Sequence, residues 1–218
     1  MFETVEEKNA DIIFSQIDDK FKHMIADAVQ AACIISQNVI DDTTAPGIPR
    51  TKWFNTACNL GYVISTLLTK MIDENNLPII SFSEDRQGHG RPVIHFHCGN
   101  AVMHIKKNDN KEKLPAKARF RKEEAKNNVQ LTLNFDGIEE SKPCSMIITF
   151  SHKRFRLKYV QIGIPDENYE RWLRRWSLME YISRDNVENI VNEYKPELLK
   201  QIAETENIKK KYSLEVRA

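Results

Sequence analysis

The chain has 218 residues, of which 29% are charged and 41% hydrophobic, and its 32 Lys+Arg against 31 Asp+Glu leave a formal net charge of +1. Near-neutrality excludes a protein coated all over by polyanion, and 9% aromatic residues exclude a disordered acidic or basic tail. The length suits one large domain or two small ones and is enough to bury a core.

The N-terminal MFETVEEKNADIIF is acidic and lacks the basic-then-apolar order of a secretory signal. The longest apolar runs, AACII and YVISTLL, fall short of the about 20 residues that a membrane span needs. Cys33, Cys58, Cys98 and Cys144 are widely spaced and read as reduced thiols, so a cytoplasmic protein without membrane association is expected.

Ile13, Ile17, Phe21, Met24, Ala28, Ala31 and Ile35 recur every three or four residues and predict one helix over about 10–38. A Pro/Gly loop at 41–50 precedes a second helix capped by Thr51, with Phe54, Ala57, Gly61, Ile64, Leu68 and Met71 on one stripe. The pattern then changes to period two. Strands are predicted at 79–83, 93–98, 101–106, 129–135, 146–150 and 155–164, with a charged, helix-permissive connector at 108–127. Pro165-Asp166 opens a predicted helix with Tyr169, Trp172, Leu173, Trp176 and Met179 on one face. Another follows from Asp185, with Asp185 and Glu188 as a capping box and Pro196 as an interruption. The expected fold is α+β: a predominantly antiparallel sheet of about five to six strands, covered on one face by N-terminal helices (10–74) and C-terminal helices (166–211), in a single domain.

The most informative segment is PVIHFHCGNAVMHIKK (92–107). With Gly99-Asn100 as a two-residue turn, Cys98 pairs with Ala101, His97 with Val102, Phe96 with Met103 and His95 with His104. Alternation places Ile94, Phe96, Cys98, Ala101, Met103 and Ile105 on an apolar core face. His95, His97, His104 and Lys106 fall on the other. Three readings remain open. The imidazoles can hold a divalent metal, Zn or Mn, through His95, His97 and His104. They can act as general acid and base on a ribose–phosphate, with Lys106 stabilising charge, as in a small ribonuclease. They can also be structural.

Immediately upstream, SEDRQGHGR (83–91) carries Glu84, Asp85, Arg86, His89 and Arg91, with Gly88 and Gly90, and this loop enters the histidine strand within a few residues, so its carboxylates can lie near the imidazoles. Residues 51–135 resemble the metal-dependent nucleases of the restriction-endonuclease-like superfamily, whose core runs helix, three antiparallel strands, helix, strand. That resemblance implies Glu84 or Asp85 as an acidic metal ligand. It sets His104-Ile105-Lys106 where the family has (Asp/Glu)-x-Lys, a departure at the carboxylate position.

Charge is unevenly spread. Residues 1–50 hold four basic and nine acidic side chains, 101–126 nine and four, and 151–184 eight and four. Lys107, Lys111, Lys113, Lys117, Arg119 and Arg121 crowd the connector. Arg154, Arg156 and Lys158 are expected on one strand face, and Arg171, Arg174 and Arg175 beside the Trp172/Trp176 stripe. These twelve are the candidate phosphate contacts for RNA or DNA. The expected function is a nucleic-acid-binding protein, a nuclease if the hairpin histidines and Glu84 are catalytic. The rival is a non-enzymatic interaction protein, such as an immunity, antitoxin-like or phage-encoded inhibitory factor, acting on a protein partner.

Overall fold

The computed structural model describes residues 4–41, 60–84, 93–132 and 143–197. The chain begins with two helices where periodicity predicts one. Helix α1 (Val5–Gln16) starts at a capping box in which Glu7 N–H donates to Thr4 Oγ1 at 3.2 Å and Thr4 N–H to the Glu7 carboxylate at 2.9 Å. It stops at Ile17. Asp18 Oδ1 then accepts from Lys20 N–H at 2.7 Å and starts α2 (Asp19–Asp41). The break leaves the apolar spacing in phase, which is why the period alone hides it.

Helix α3 (Leu60–Glu74) is the described part of the second predicted helix; Thr51, Phe54 and Ala57 lie outside the described residues. It ends with Asn76 in the left-handed region at φ 48°, where Leu77 N–H reaches Ile72 O and Asn76 N–H reaches Asp73 O. Those two bonds form a Schellman cap, with Asn in the place glycine usually takes.

Strands β1 (Ile80–Glu84), β2 (Val93–Cys98), β3 (Ala101–Lys107), β4 (Cys144–Lys153), β5 (Arg156–Pro165) and β6 (Trp172–Ser177) form one six-stranded sheet in the order β1-β2-β3-β4-β5-β6. All neighbours are antiparallel except β3 and β4, which run parallel with His104 opposite Ile147. A parallel pair needs a crossover. Residues 108–143 provide it, with α4 (Arg119–Ala125) and a 3-10 helix (Lys126–Thr132) in the described part.

This crossover corrects two expectations. Val129 lies in the 3-10 helix rather than in a strand, and 133–135 fall outside the described residues. The sheet is also covered on both faces. Phe21, Ile25 and Val29 of α2 and Leu67 and Leu68 of α3 bury one face together with Phe96, Met103, Ile148 and Ile162. On the opposite face Ala125, Ile147 and Tyr169 form a smaller cluster with Leu114 and Trp172. The order helix, three antiparallel strands, helix, strand is present, but the closing strand is β4, beginning at Cys144.

The predicted helix after Pro165 is strand β6. Asp166 Oδ1 accepts from Glu170 and Arg171 N–H, and Tyr169 adopts φ 56°, so the chain turns sharply and returns along β5. The helical stripe is not kept: a register shift at Pro165 puts Trp172 with the crossover-face cluster and Trp176 with the main core. Trp176 stacks on Phe14 at 4.3 Å and donates through Nε1 to Asp11 at 3.0 Å, docking α1 on the sheet edge. The β4–β5 turn is Arg154-Phe155, both with positive φ as a type I′ hairpin requires, so Arg154 is a turn residue and only Arg156 and Lys158 alternate on the strand.

Residues 184–197 form the last described helix, α5, which continues through Pro196. Its cap is Ser183, whose Oγ accepts from Asn186 N–H, rather than Asp185. The buried Asp27 of α2 accepts from Ser183 N–H at 2.8 Å and from the Asn186 amide at 3.3 Å, tying α2 to the start of α5. Asp27→Ala should cost about 1–2 kcal/mol, measured by denaturant unfolding. Burial pushes the Asp27 carboxyl above its ordinary value. Its contribution to stability is therefore full below the unfolded-state value, about 3.9, and is lost as pH rises through the folded one. Asp27→Asn should remove that pH-dependent limb of the stability curve.

No helix among the described residues is long and apolar enough to cross a membrane.

Candidate metal centre

The β2–β3 hairpin has the register expected from the sequence: His95 opposite His104, Phe96 opposite Met103, His97 opposite Val102 and Cys98 opposite Ala101. Phe96 and Met103 face the main core. His95 and His104 face the crossover, where α4 covers them so closely that each is only 2% exposed. Phe120 of α4 packs tilted by 58° against His104 with ring centroids 5.4 Å apart, and the two imidazoles are 5.8 Å apart.

One turn after Phe120, Glu124 points its carboxylate at both rings. Glu124 Oε1 is 3.8 Å from His95 Nε2, and Oε2 is 3.4 Å from His104 Nδ1, with 22% of the glutamate side chain exposed. One ligating atom from each residue lies within 4.8 Å of the others. These separations exceed the about 2.7–3.2 Å of a well-formed N–H···O bond. They are close to the about 3.4 Å that separates two ligands of a tetrahedral ion held at about 2.1 Å. Two imidazoles and one carboxylate are a donor set that zinc, manganese and other first-row divalent ions accept.

The group that could hold an ion therefore contains two of the three histidines expected from the hairpin. His97 lies two residues from His95, opposite Val102 and outside this group, half-buried, with desolvation holding its imidazole below the usual value. Glu124 is the third member of this group. The helical spacing of Phe120 and Glu124 puts them on one face, but nothing local in the sequence says which surface that face covers.

Lys106, two residues beyond His104 on the same face, is held below the usual lysine range by desolvation and by the neighbouring Arg121 cation. Glu84 ends β1 with its backbone opposite Val93, one alternation step from the Phe82–His95 pair. Asp85, Arg86, His89 and Arg91 lie outside the described residues.

Arg121 is buried, its guanidinium donating to Ala116 O at 2.6 and 3.2 Å, so it braces the crossover instead of meeting a ligand. Arg174 grips Asp11 with Nη2 at 2.8 Å and Arg175 pairs with Glu112. Lys107 is 3.6 Å from Asp109. Lys111, Lys113, Lys117, Arg119, Arg154, Arg156 and Lys158 are exposed. Arg154, Arg156 and Lys158 sit at the β4–β5 hairpin, whereas Lys111, Lys113 and Lys117 share one cleft with Arg171, Arg174 and Arg175. Comparison with protein-family models, with curated proteins and with solved structures gives no match to this chain.

Proposed function

We propose that the protein is a divalent-metal-dependent hydrolase of phosphodiesters in nucleic acid, with its ion held by His95, His104 and Glu124. The observation that carries this reading is the convergence of two buried imidazoles and a partly exposed carboxylate in one ligand-sized group. Catalytic zinc sites keep three protein ligands and one position for water, and such an ion supplies a hydroxide near neutral pH and polarises a phosphoryl oxygen. Lys106 stands on the same strand face as His104, suited to meet the charge that develops on the phosphate. The substrate class is supported by the exposed cations of the crossover that covers this face, Lys111, Lys113, Lys117 and Arg119. The order helix, three strands, helix, strand, which resembles that of the restriction-endonuclease-like nucleases, adds to it as an analogy of fold. The free, buried thiols of Cys33 and Cys144 suit the reducing cytoplasm, where we place the activity.

The test is elemental analysis of the full chain purified without an affinity tag, combined with thermal unfolding in added Zn²⁺ or Mn²⁺. About one ion per chain is expected. At 100-fold excess over Kd the ion should add about 2.7 kcal/mol, which is a rise of about 5–10 °C for a chain of this size. His104→Ala and Glu124→Gln should abolish both the retained metal and metal-dependent cleavage of an oligonucleotide. A wild-type chain that holds no metal and shows no thermal shift with either ion would end the proposal.

A further inference from the structure

Beside the small cluster on the crossover face, an open cleft of about 910 Å³ lies between residues 111–117 and residues 169–177. Lys111, Lys113 and Lys117 line one wall and Arg171, Arg174 and Arg175 the other, against only two carboxylates, Glu112 and Glu170. The wall that carries the lysines is fixed by its backbone. Lys111 O accepts from Gln161 Nε2 at 3.0 Å and from Arg175, Pro115 O accepts from the buried Tyr169 hydroxyl at 3.2 Å, and Ala116 O accepts from Arg121. The lysine side chains stay exposed and have no ion pair among the described residues.

On the opposite wall the arginines divide into two kinds. Arg174 and Arg175 are engaged by Asp11 and Glu112 and shape the wall. Arg171 is 71% exposed and meets Glu6 and Asp166 only at 3.9 Å, a contact that costs little to give up. Four cations are thus available across a gap, with the half-buried Trp172 ring beside them.

We propose that this cleft holds a single-stranded segment of nucleic acid, with phosphates on Lys111, Lys113, Lys117 and Arg171 and a base against Trp172. Cations in a row beside an aromatic ring are what a sequence-tolerant strand-binding groove requires. The volume is at the upper end of the about 300–1,000 Å³ of small-ligand sites, enough for a few nucleotides of one strand and too small for a duplex. The assignment rests on the reading of the protein as a nucleic-acid hydrolase, for which it names the form of the substrate.

The experiment is fluorescence anisotropy of the full chain with a labelled oligothymidylate of about 12 nucleotides, within the about 4–16 that such grooves occupy, checked on a gel to be intact afterwards. Lys113→Glu combined with Lys117→Glu should weaken binding at least tenfold and reduce the slope of log K against log[salt] by about two. Arg154→Glu combined with Arg156→Glu, at the β4–β5 hairpin outside the cleft lining, should change affinity less than threefold. Metal content, measured on the same preparations, should be equal in all of them, so a failed groove and a failed metal centre are told apart. The proposal is overturned if the wild-type chain does not bind the oligonucleotide at about 50 mM salt, where phosphate contacts are strong. It is equally overturned if the cleft variant binds like wild type, or if a duplex of the same length binds more tightly than the single strand.

Discussion

Asn128→Asp should lower the melting temperature by about 8–16 °C, the shift that about 4 kcal/mol produces in a chain of this size. Asn128 is 1% exposed in the 3-10 helix of the crossover, and every polar atom of its amide is used. Its Nδ2 donates to Ser145 O at 3.1 Å and to Pro165 O at 2.8 Å, while Oδ1 accepts from Ser145 N–H at 2.8 Å and from Cys144 Sγ at 3.4 Å. Aspartate keeps the volume but turns the donating half into an acceptor facing two carbonyls, and it buries a charge. Asn128→Ala should cost slightly less, because it leaves the same backbone groups unsatisfied without adding a charge. A melting curve for the aspartate variant that overlays the wild type would show that the amide does not hold the crossover to the sheet.

Gly163→Ala should destabilise the chain by about 2–3 kcal/mol, the cost of overpacking a filled site. A Cβ at Gly163 would lie 2.6 and 2.7 Å from two carbons of the Trp172 ring and 3.2 Å from Arg175 Cγ. The ring rests on the glycine backbone and cannot stay there once a methyl group is added. In a Trp172→Leu background the same substitution should cost much less, since the atoms it collides with are gone, and the non-additivity of the double variant measures that contact. Equal costs in the two backgrounds would mean that Trp172 is not what excludes the methyl group. Because Trp172 also lines the basic cleft, Gly163→Ala should disturb oligonucleotide binding without removing any cation.

The hairpin was the most legible part of the sequence, because Gly99-Asn100 sets the turn and alternation then sets every partner. That is how the opposed His95 and His104 could be read without coordinates. Glu124 could not, because its place over the hairpin depends on a crossover imposed by the parallel pairing of β3 and β4. Only the length between the two strands hints at that pairing. The basic residues divide along the same line. Local charge density counts Arg121, Arg174 and Arg175 as available cations, yet their partners Ala116, Glu112 and Asp11 lie in other elements or across a turn. Strand β6 was misread because the aromatic spacing suggests one helical stripe, whereas the irregular register at Pro165 sends Trp172 and Trp176 to opposite faces of the sheet, and the turn built on Asp166 and Tyr169 carries no glycine to announce it.

The one parallel pairing also divides the sheet by how it is assembled. Strands β1–β3 and β4–β6 are each meanders of sequence neighbours, cheap to close and quick to form, whereas the β3–β4 seam joins residues across the whole of 108–143. Closing that seam carries the larger loop-closure cost, because its connection is the longest in the sheet. The crossover is tied to both halves: Asn128 grips β4 and β5, Pro115 accepts from Tyr169, and Glu124 lies over the histidines of β2 and β3. An ion bound by His95, His104 and Glu124 would pin the crossover helix to the β2–β3 hairpin, adding a link between the seam's connector and the first half of the sheet.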